Sequence, residues 1–221
     1  MWKYFKIQPF EDLLASAKLY LCQVSRFTDE AEARMNRFQL AAMEERTQNN
    51  PDLALSLRCF HEAIRQRSWV SCFSVADFED KYMWKTFCPN SEGVAIKTTF
   101  RKLKAALNNT GRMEPDLSVA VVRYEETAYR PSKIGYLLFQ KLPCFAEEKE
   151  LRLCICRPEE EFDAAQCGKE SIRVPILLRP LLGEIRVHPS ASDSFFNDVR
   201  RLVSRHLPDR QSRVKWSVFR K

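Results

Sequence analysis

At Trp69 the hydrophobic period of this 221-residue chain changes. Upstream, apolar residues recur at three- and four-residue spacing. Downstream they gather into short runs rich in β-branched and aromatic residues, the mark of strands. In the upstream part Phe10, Leu13, Leu14 and Ala17 give "FEDLLASAK" a helical face, and Leu19 and Leu21 then begin a strand. "TDEAEARMNRFQLAAMEERTQ" reads as a helix carrying Met35, Phe38 and Ala42 on one side. Asn50 as cap and Pro51 at the first position start another helix, with Leu53, Leu57, Phe60 and Ile64 as its buried stripe.

Beyond Trp69, "SWVSCFS", "EGVAIKT", "SVAVVRY", "KELRLCIC", "SIRVPILL", "GEIRVHP" and "RVKWSVF" all read as strands. "FRKLKAAL" reads as a short helix with Phe100, Leu103 and Leu107 inward. "SDSFFNDVRRLVSRHL" reads as a longer one, striped by Phe195, Val199, Leu202 and His206 and capped by Ser192 or Ser194. The expectation is an α+β fold: helices concentrated in the first third, a mixed or antiparallel sheet in the remainder, and a single domain over residues 1–221.

Several chemistries lack their residues. The glycines are Gly93, Gly111, Gly135, Gly168 and Gly183, too scattered for a dinucleotide fingerprint or a phosphate loop. Neither H-E-x-x-H nor G-x-S-x-G occurs. The eight cysteines include no C-x-x-C, and His61, His188 and His206 stand apart from them, so no metal is expected. Reduced thiols in apolar surroundings suit a cytoplasmic protein. No run of about 18 apolar residues is present, so no membrane span is expected.

The net charge of +7 sits at one end. Arg200, Arg201, Arg205, Arg210, Arg213, Lys215, Arg220 and Lys221 face a single acid there, Asp209. Such a patch suits nucleic acid or another polyanion, or is a solvated helix face followed by a strand.

Three stretches mix aromatic and charged residues. In "RFTDEAE", Asp29 and Glu32 either cap a helix or belong to a site. In "CFSVADFEDKYMWKTF", Tyr82, Trp84 and Phe87 either wall a pocket for a flat ring or plug the end of a sheet. In "CFAEEKELRLCIC", an extended chain would put Glu148, Glu150 and Arg152 on one face and Leu151, Leu153 and Ile155 on the other. Two acids so placed could grip a ribose diol and stabilise an oxocarbenium-like transition state, or they could form a charged strand edge that blocks aggregation.

The order "KYFKIQPFEDLLASAKLYLCQVSRFTDEAE", "WVSCFS", "MWKTFCPNSEGVAIKTTFRKLKAAL", "VVRYEETAY", "QKLPCFAEEKELRL" resembles a large microbial family of unknown function of the DUF type. The matching positions are Phe27, Asp29, Glu32, Cys72, Phe73, Ser74, Met83, Trp84, Gly93, Lys141, Phe145, Glu148, Glu150 and Arg152. "LLGEIRVHPSASDSFFNDVRRLVSRH" and "VKWSVF" extend the likeness to nearly the whole chain. The chain departs from the pattern at Thr28 and Glu30, at Phe87 in place of a tyrosine, and at Leu142 in place of a second base.

The resemblance implies a bacterial, defence- or toxin-associated protein whose layout is similar to ADP-ribosyltransferase-like enzymes using NAD. Tyr4 would then fill a first strand slot, Tyr20 or Ser25 a second, and Glu148 and Glu150 the catalytic third. Trp84 or Tyr20 would stack on nicotinamide, and Arg152 or Lys141 would hold the pyrophosphate. Asp29, Tyr4 and Trp84 would converge with the two glutamates on one cleft, and Glu32 would be among the substrate-binding residues. The alternative is a non-enzymatic module that engages nucleic acid or a protein partner through Arg200, Arg201, Arg205, Arg213 and Lys215.

Overall fold

The computed structural model describes residues 1–27, 32–108, 117–125, 134–157 and 169–220. In chain order the first elements are β1 (Trp2–Lys6), α1 (Ile7–Ser16), β2 (Lys18–Gln23), α2 (Arg37–Thr47), α3 (Pro51–Gln66) and β3 (Ser68–Ser74). There follow α4 (Lys81–Phe87), β4 (Gly93–Lys97), α5 (Phe100–Asn108), β5 (Leu117–Val121), β6 (Arg123–Tyr124) and β7 (Gln140–Lys141). The last are β8 (Glu150–Cys156), β9 (Ser171–Pro175), α6 (Leu178–Leu181), β10 (Glu184–Val187), α7 (Asp193–His206) and β11 (Val214–Trp216). The class is α+β with mixed strand pairing. The helices, however, are not confined to the first third: α4, α5, α6 and the 14-residue α7 lie beyond it.

Two compact units are distinguishable, each assembled from separated stretches of chain. One comprises Met1–Tyr20, Phe73–Glu114 and Arg173–Lys221, and the other Leu21–Cys72 and Pro115–Ile172. In the first unit β4 pairs antiparallel with β1 along Trp2↔Lys97 to Lys6↔Gly93, and on its other side with β10. Strand β11 then adds parallel to β10. Helix α1 stops where Ala17 turns left-handed (φ 50°) and donates its N–H to Leu13 O, which frees Lys18 to begin β2. Phe10, Leu13 and Leu14 of α1, and Val199, Leu202 and Val203 of α7, supply this unit's buried helix faces. Ser192 is the α7 cap, accepting the N–H of Phe195. Gly93 is required by a close approach: a Cβ there would come within 2.5 Å of the Cys88 sulfur.

In the second unit β8 is hydrogen-bonded on both sides, to β3 and to β5. Helix α2 begins later than its composition suggests. Asn36 accepts the Gln39 N–H and the Gln39 side chain accepts the Asn36 N–H, a reciprocal cap that fixes the start at Arg37. Of the expected stripe of Met35, Phe38 and Ala42, Met35 is buried beside Met43 just before the helix and Phe38 is exposed, while Gln39, Met43 and Thr47 form the buried face of α2. Asn50 and Pro51 start α3 as expected. Its stripe is shallower than expected, because Leu53 and Phe60 are exposed and only the Ile64 end is buried. Likewise Phe100 lies outside the α5 core face formed by Leu103, Ala106 and Leu107.

Candidate functional site

Glu32, Lys141, Glu148, Glu150 and Arg152 meet inside the second unit, from four separate places in its chain. The expectation of one extended acidic face is corrected in its geometry. Pro143–Glu148 forms a 3-10 turn, Lys149 is left-handed (φ 46°), and the strand starts only at Glu150. Glu150 and Arg152 share a face of β8 because they are two residues apart. Glu148 reaches the same place through the reversal at Lys149. The reading as a solvated strand edge fails as well, since β8 is paired on both sides and buried from Glu150 to Ile155.

Arg152 is the hub. It is 1% exposed, and its Nε donates to Glu150 Oε2 at 2.6 Å. Nη1 donates to Glu32 Oε1 at 2.5 Å and to Leu138 O at 2.8 Å, and Nη2 donates to Glu32 Oε2 at 3.0 Å. That two-pronged grip matches the flat guanidinium to the carboxylate plane. Lys141 Nζ donates to Glu148 and, at 3.5 Å, to Glu150 Oε1, and it lies 3.7 Å from Glu32 Oε2. The parallel pairing of β6 with β7 puts Tyr124 opposite Lys141. The Tyr124 hydroxyl oxygen accepts the backbone N–H of Glu150 at 2.7 Å. Below Lys141 the Phe145 ring lies 4.7 Å from the ammonium. Outside these groups, Gln39 donates to Gln140, Gln140 donates to Glu125 O, and Tyr136 donates to the Glu125 carboxylate.

Three carboxylates against two cations leave the cluster one charge short of neutrality, and the two carboxyls nearest in sequence divide the consequence. Glu148 and Glu150 share the Lys141 ammonium as donor. Burial holds Glu148 above the usual carboxylate range; Lys141 opposes that rise and the neighbouring Glu150 adds to it. Burial alone would raise Glu150 too, but Arg152 and then Lys141 outweigh it and hold Glu150 below that range. Lys141 is raised in turn, because the acids outweigh its own desolvation. Carboxyls pushed apart in this way suit opposite duties: one stays anionic, and the other takes up and releases a proton.

Opposite signs of pH dependence follow. The Glu148 contribution is complete below the ordinary carboxylate value of 4.5 and is lost as pH rises through its elevated folded value. The Glu150 contribution is present above 4.5 and is lost as pH falls through its depressed folded value. Glu148→Gln cannot ionise, so its stability relative to the natural chain should improve steadily as pH rises from 4.5 towards neutrality. Urea unfolding at a series of pH values measures this, and a difference that does not change with pH counts against it.

The other residues singled out from sequence fall elsewhere. Tyr4 and Trp84 do come together, edge to face with centroids 4.9 Å apart, but they belong to the first unit and to its core. Trp84 is 2% exposed, donates to the buried Glu79 at 3.0 Å and meets His188 edge-on. Trp84 thus packs within the core, whereas Tyr82 and Phe87 of the same segment are exposed. The Tyr4 hydroxyl accepts the Asp80 N–H, and burial raises its pKa. Tyr20 is 43% exposed on β2, and Ser25 is half-buried in the 3-10 turn Val24–Arg26. Asp29 lies outside the described residues. Arg152, expected at a pyrophosphate, gives four of its five N–H donors to protein acceptors.

In the basic end, Arg201 pairs with Asp198, Lys215 with Glu184, Arg220 with Asp193 and Arg210 with Asp209. Arg220 also covers one face of Trp216, whose ring stacks on Phe196. Arg200, Arg205 and Arg213 are exposed and have no acidic partner among the described residues. A cavity of about 580 Å³ in the first unit is lined by Ile7, Glu11, Phe195, Arg201, Leu202 and Arg205 among others. Among the described residues no helix is long and apolar enough to cross a membrane, and no group of His, Cys, Asp and Glu is placed to hold a metal.

Tyr124 was not singled out from sequence. Its signal is faint: it is the one tyrosine at the end of "SVAVVRY", and only the β6–β7 pairing brings it to Lys141. No family model, no curated protein and no solved structure matches the chain.

Proposed function

We propose that the Glu148–Glu150 pair is the catalytic centre of an enzyme that breaks the N-glycosidic bond of NAD and passes ADP-ribose to an acceptor or to water. The observation that carries this reading is the meeting of the Glu148 and Glu150 carboxyls on Lys141, with Arg152 bonded to Glu150 alone of the pair, a setting that pushes the two in opposite directions. As the ribose C1′–N bond breaks, its electron pair leaves with nicotinamide and positive charge develops on the sugar. Glu150, kept anionic, lies ready to stabilise that charge. Glu148, whose elevated pKa makes it the stronger base, takes the proton of the attacking hydroxyl or water as the new bond to C1′ forms. Of the two cations expected at the pyrophosphate, Lys141 keeps an N–H beyond those given to Glu148 and Glu150. The test is incubation of the purified chain with NAD, with and without bacterial lysate, followed by quantification of nicotinamide and of ADP-ribosylated products. Release above a protein-free control is expected, and neither nicotinamide nor modified product is the contrary result.

A second reading rests on the three arginines without acidic partners. Since Arg201, Arg210, Lys215 and Arg220 pair with acids of their own unit, nucleic-acid binding through Arg200, Arg205 and Arg213 should be weak. Each neutralised phosphate contributes about −0.9 to the slope of log affinity on log salt, so a slope of about −3 is expected from titrations on duplex DNA. A flat response removes this reading, and a slope twice as steep means the internal ion pairs open on binding.

A further inference from the structure

We propose that Tyr124 is a ribose-recognising residue of the carboxyl-pair site, its hydroxyl donating to one oxygen of a vicinal diol while the acids accept from the other. This inference rests on the reading of the pair as a site for a ribosyl nucleotide, and it adds the group that selects the sugar.

The phenol has one hydrogen-bonding capacity spent and one unspent. Its oxygen accepts the Glu150 N–H at 2.7 Å, which fixes the ring and polarises the O–H. Its proton has no acceptor among the described residues. The side chain is half-buried, and it stands in the field of Glu150, Glu148 and Lys141. Burial and then the two carboxylates push its pKa up to about 12, so at neutral pH it remains a donor. Every other polar group of the cluster is committed differently. Arg152 is occupied by Glu32, Glu150 and Leu138 O, and Lys141 gives two N–H groups to Glu148 and Glu150 and its third to the pyrophosphate in the reading above, while the carboxylates can only accept when ionised. A ligand hydroxyl that donates to a carboxylate therefore finds its acceptor here, and a neighbouring hydroxyl that needs a donor finds Tyr124. Two adjacent hydroxyls, one donating and one accepting, describe the 2′,3′-diol of a riboside. A deoxy sugar leaves one of the two protein groups without a partner, and rejection on that ground is stronger than rejection by shape alone.

The test is calorimetric binding of NAD, ADP-ribose and adenosine, with 2′-deoxy and 3′-deoxy forms of ADP-ribose, to the natural chain and to Tyr124→Phe. Circular dichroism checks that the variant is folded. The loss of one neutral hydrogen bond should weaken riboside binding by about three- to tenfold in the variant. One deoxy form should bind the natural chain and the variant equally, because the bond is already absent, an outcome that a purely structural tyrosine does not produce. If ribosides bind but Tyr124→Phe binds them within twofold of the natural chain, the Tyr124 assignment is overturned and the carboxyl-pair reading stands. If ADP-ribose or adenosine binds in a Tyr124-dependent manner while NAD does not, the assignment stands and NAD is the wrong substrate. If no riboside binds the natural chain, both are overturned.

Discussion

Arg152→Met is expected to lower stability by about 3–5 kcal/mol, because it strands Glu32 and Glu150 as charges in a buried setting. Glu32 is 1% exposed and has Arg152 as its close partner, the Lys141 ammonium lying farther off at 3.7 Å. For a chain of this length that loss corresponds to a fall in melting temperature of roughly 6–20 °C. The second substitution Glu32→Met, which removes one of the stranded charges, should recover a substantial part of it. Recovery separates charge burial from simple loss of packing, since the double variant deletes still more hydrogen bonds. A loss below about 1 kcal/mol in the single variant would mean that the acids do not depend on this guanidinium for their charge.

The second large effect concerns turnover. Glu150→Gln removes the anion placed to face the developing cation, and NAD cleavage should fall by about 10²–10³-fold. It also removes a partner of Arg152 and Lys141, so a lowered melting temperature is expected alongside. Glu148→Gln should stay folded and still lose about 10²-fold or more, as a missing general base does. Its pH profile is the sharper readout. In the natural chain, turnover should rise with pH through the elevated Glu148 value, because the base works only when deprotonated. In Glu148→Gln the residual rate should be flat over that range. A variant that keeps the rise assigns the titration to another group.

Sequence revealed much of the frame, because frame and sequence share a local cause. The β3 and β4 runs, the Asn50–Pro51 start of α3 and the Ser192 cap of α7 all depend on neighbours within four residues. The misreadings came from competition between signals. "EAR" at 32–34 has good helix formers, but the Asn36–Gln39 cap is a better-defined start, and it won. The leucines of α3 have helical spacing, yet spacing alone does not say that something covers them.

The candidate site was half visible. Glu148, Glu150 and Arg152 stood out as neighbours, and Lys141 and Glu32 through resemblance. What brings them together is not local. Glu32 meets Arg152 across 120 positions, and Lys149 adopts a left-handed turn that no glycine or asparagine announces. The aromatic segment stayed ambiguous for a related reason. Tyr82, Trp84 and Phe87 left a pocket wall and a sheet plug equally open, and only the structure shows the Trp84 indole N–H bonded to Glu79 inside the core.

The central claim is that two adjoining carboxyls are driven to opposite protonation preferences. Carbon-13 NMR of the glutamate side-chain carboxyls, assigned with Glu148→Gln and Glu150→Gln and followed from acid to neutral pH, reads this directly. The Glu148 resonance should move above the ordinary value of 4.5 and the Glu150 resonance below it. Both resonances moving together near 4.5 would contradict the account.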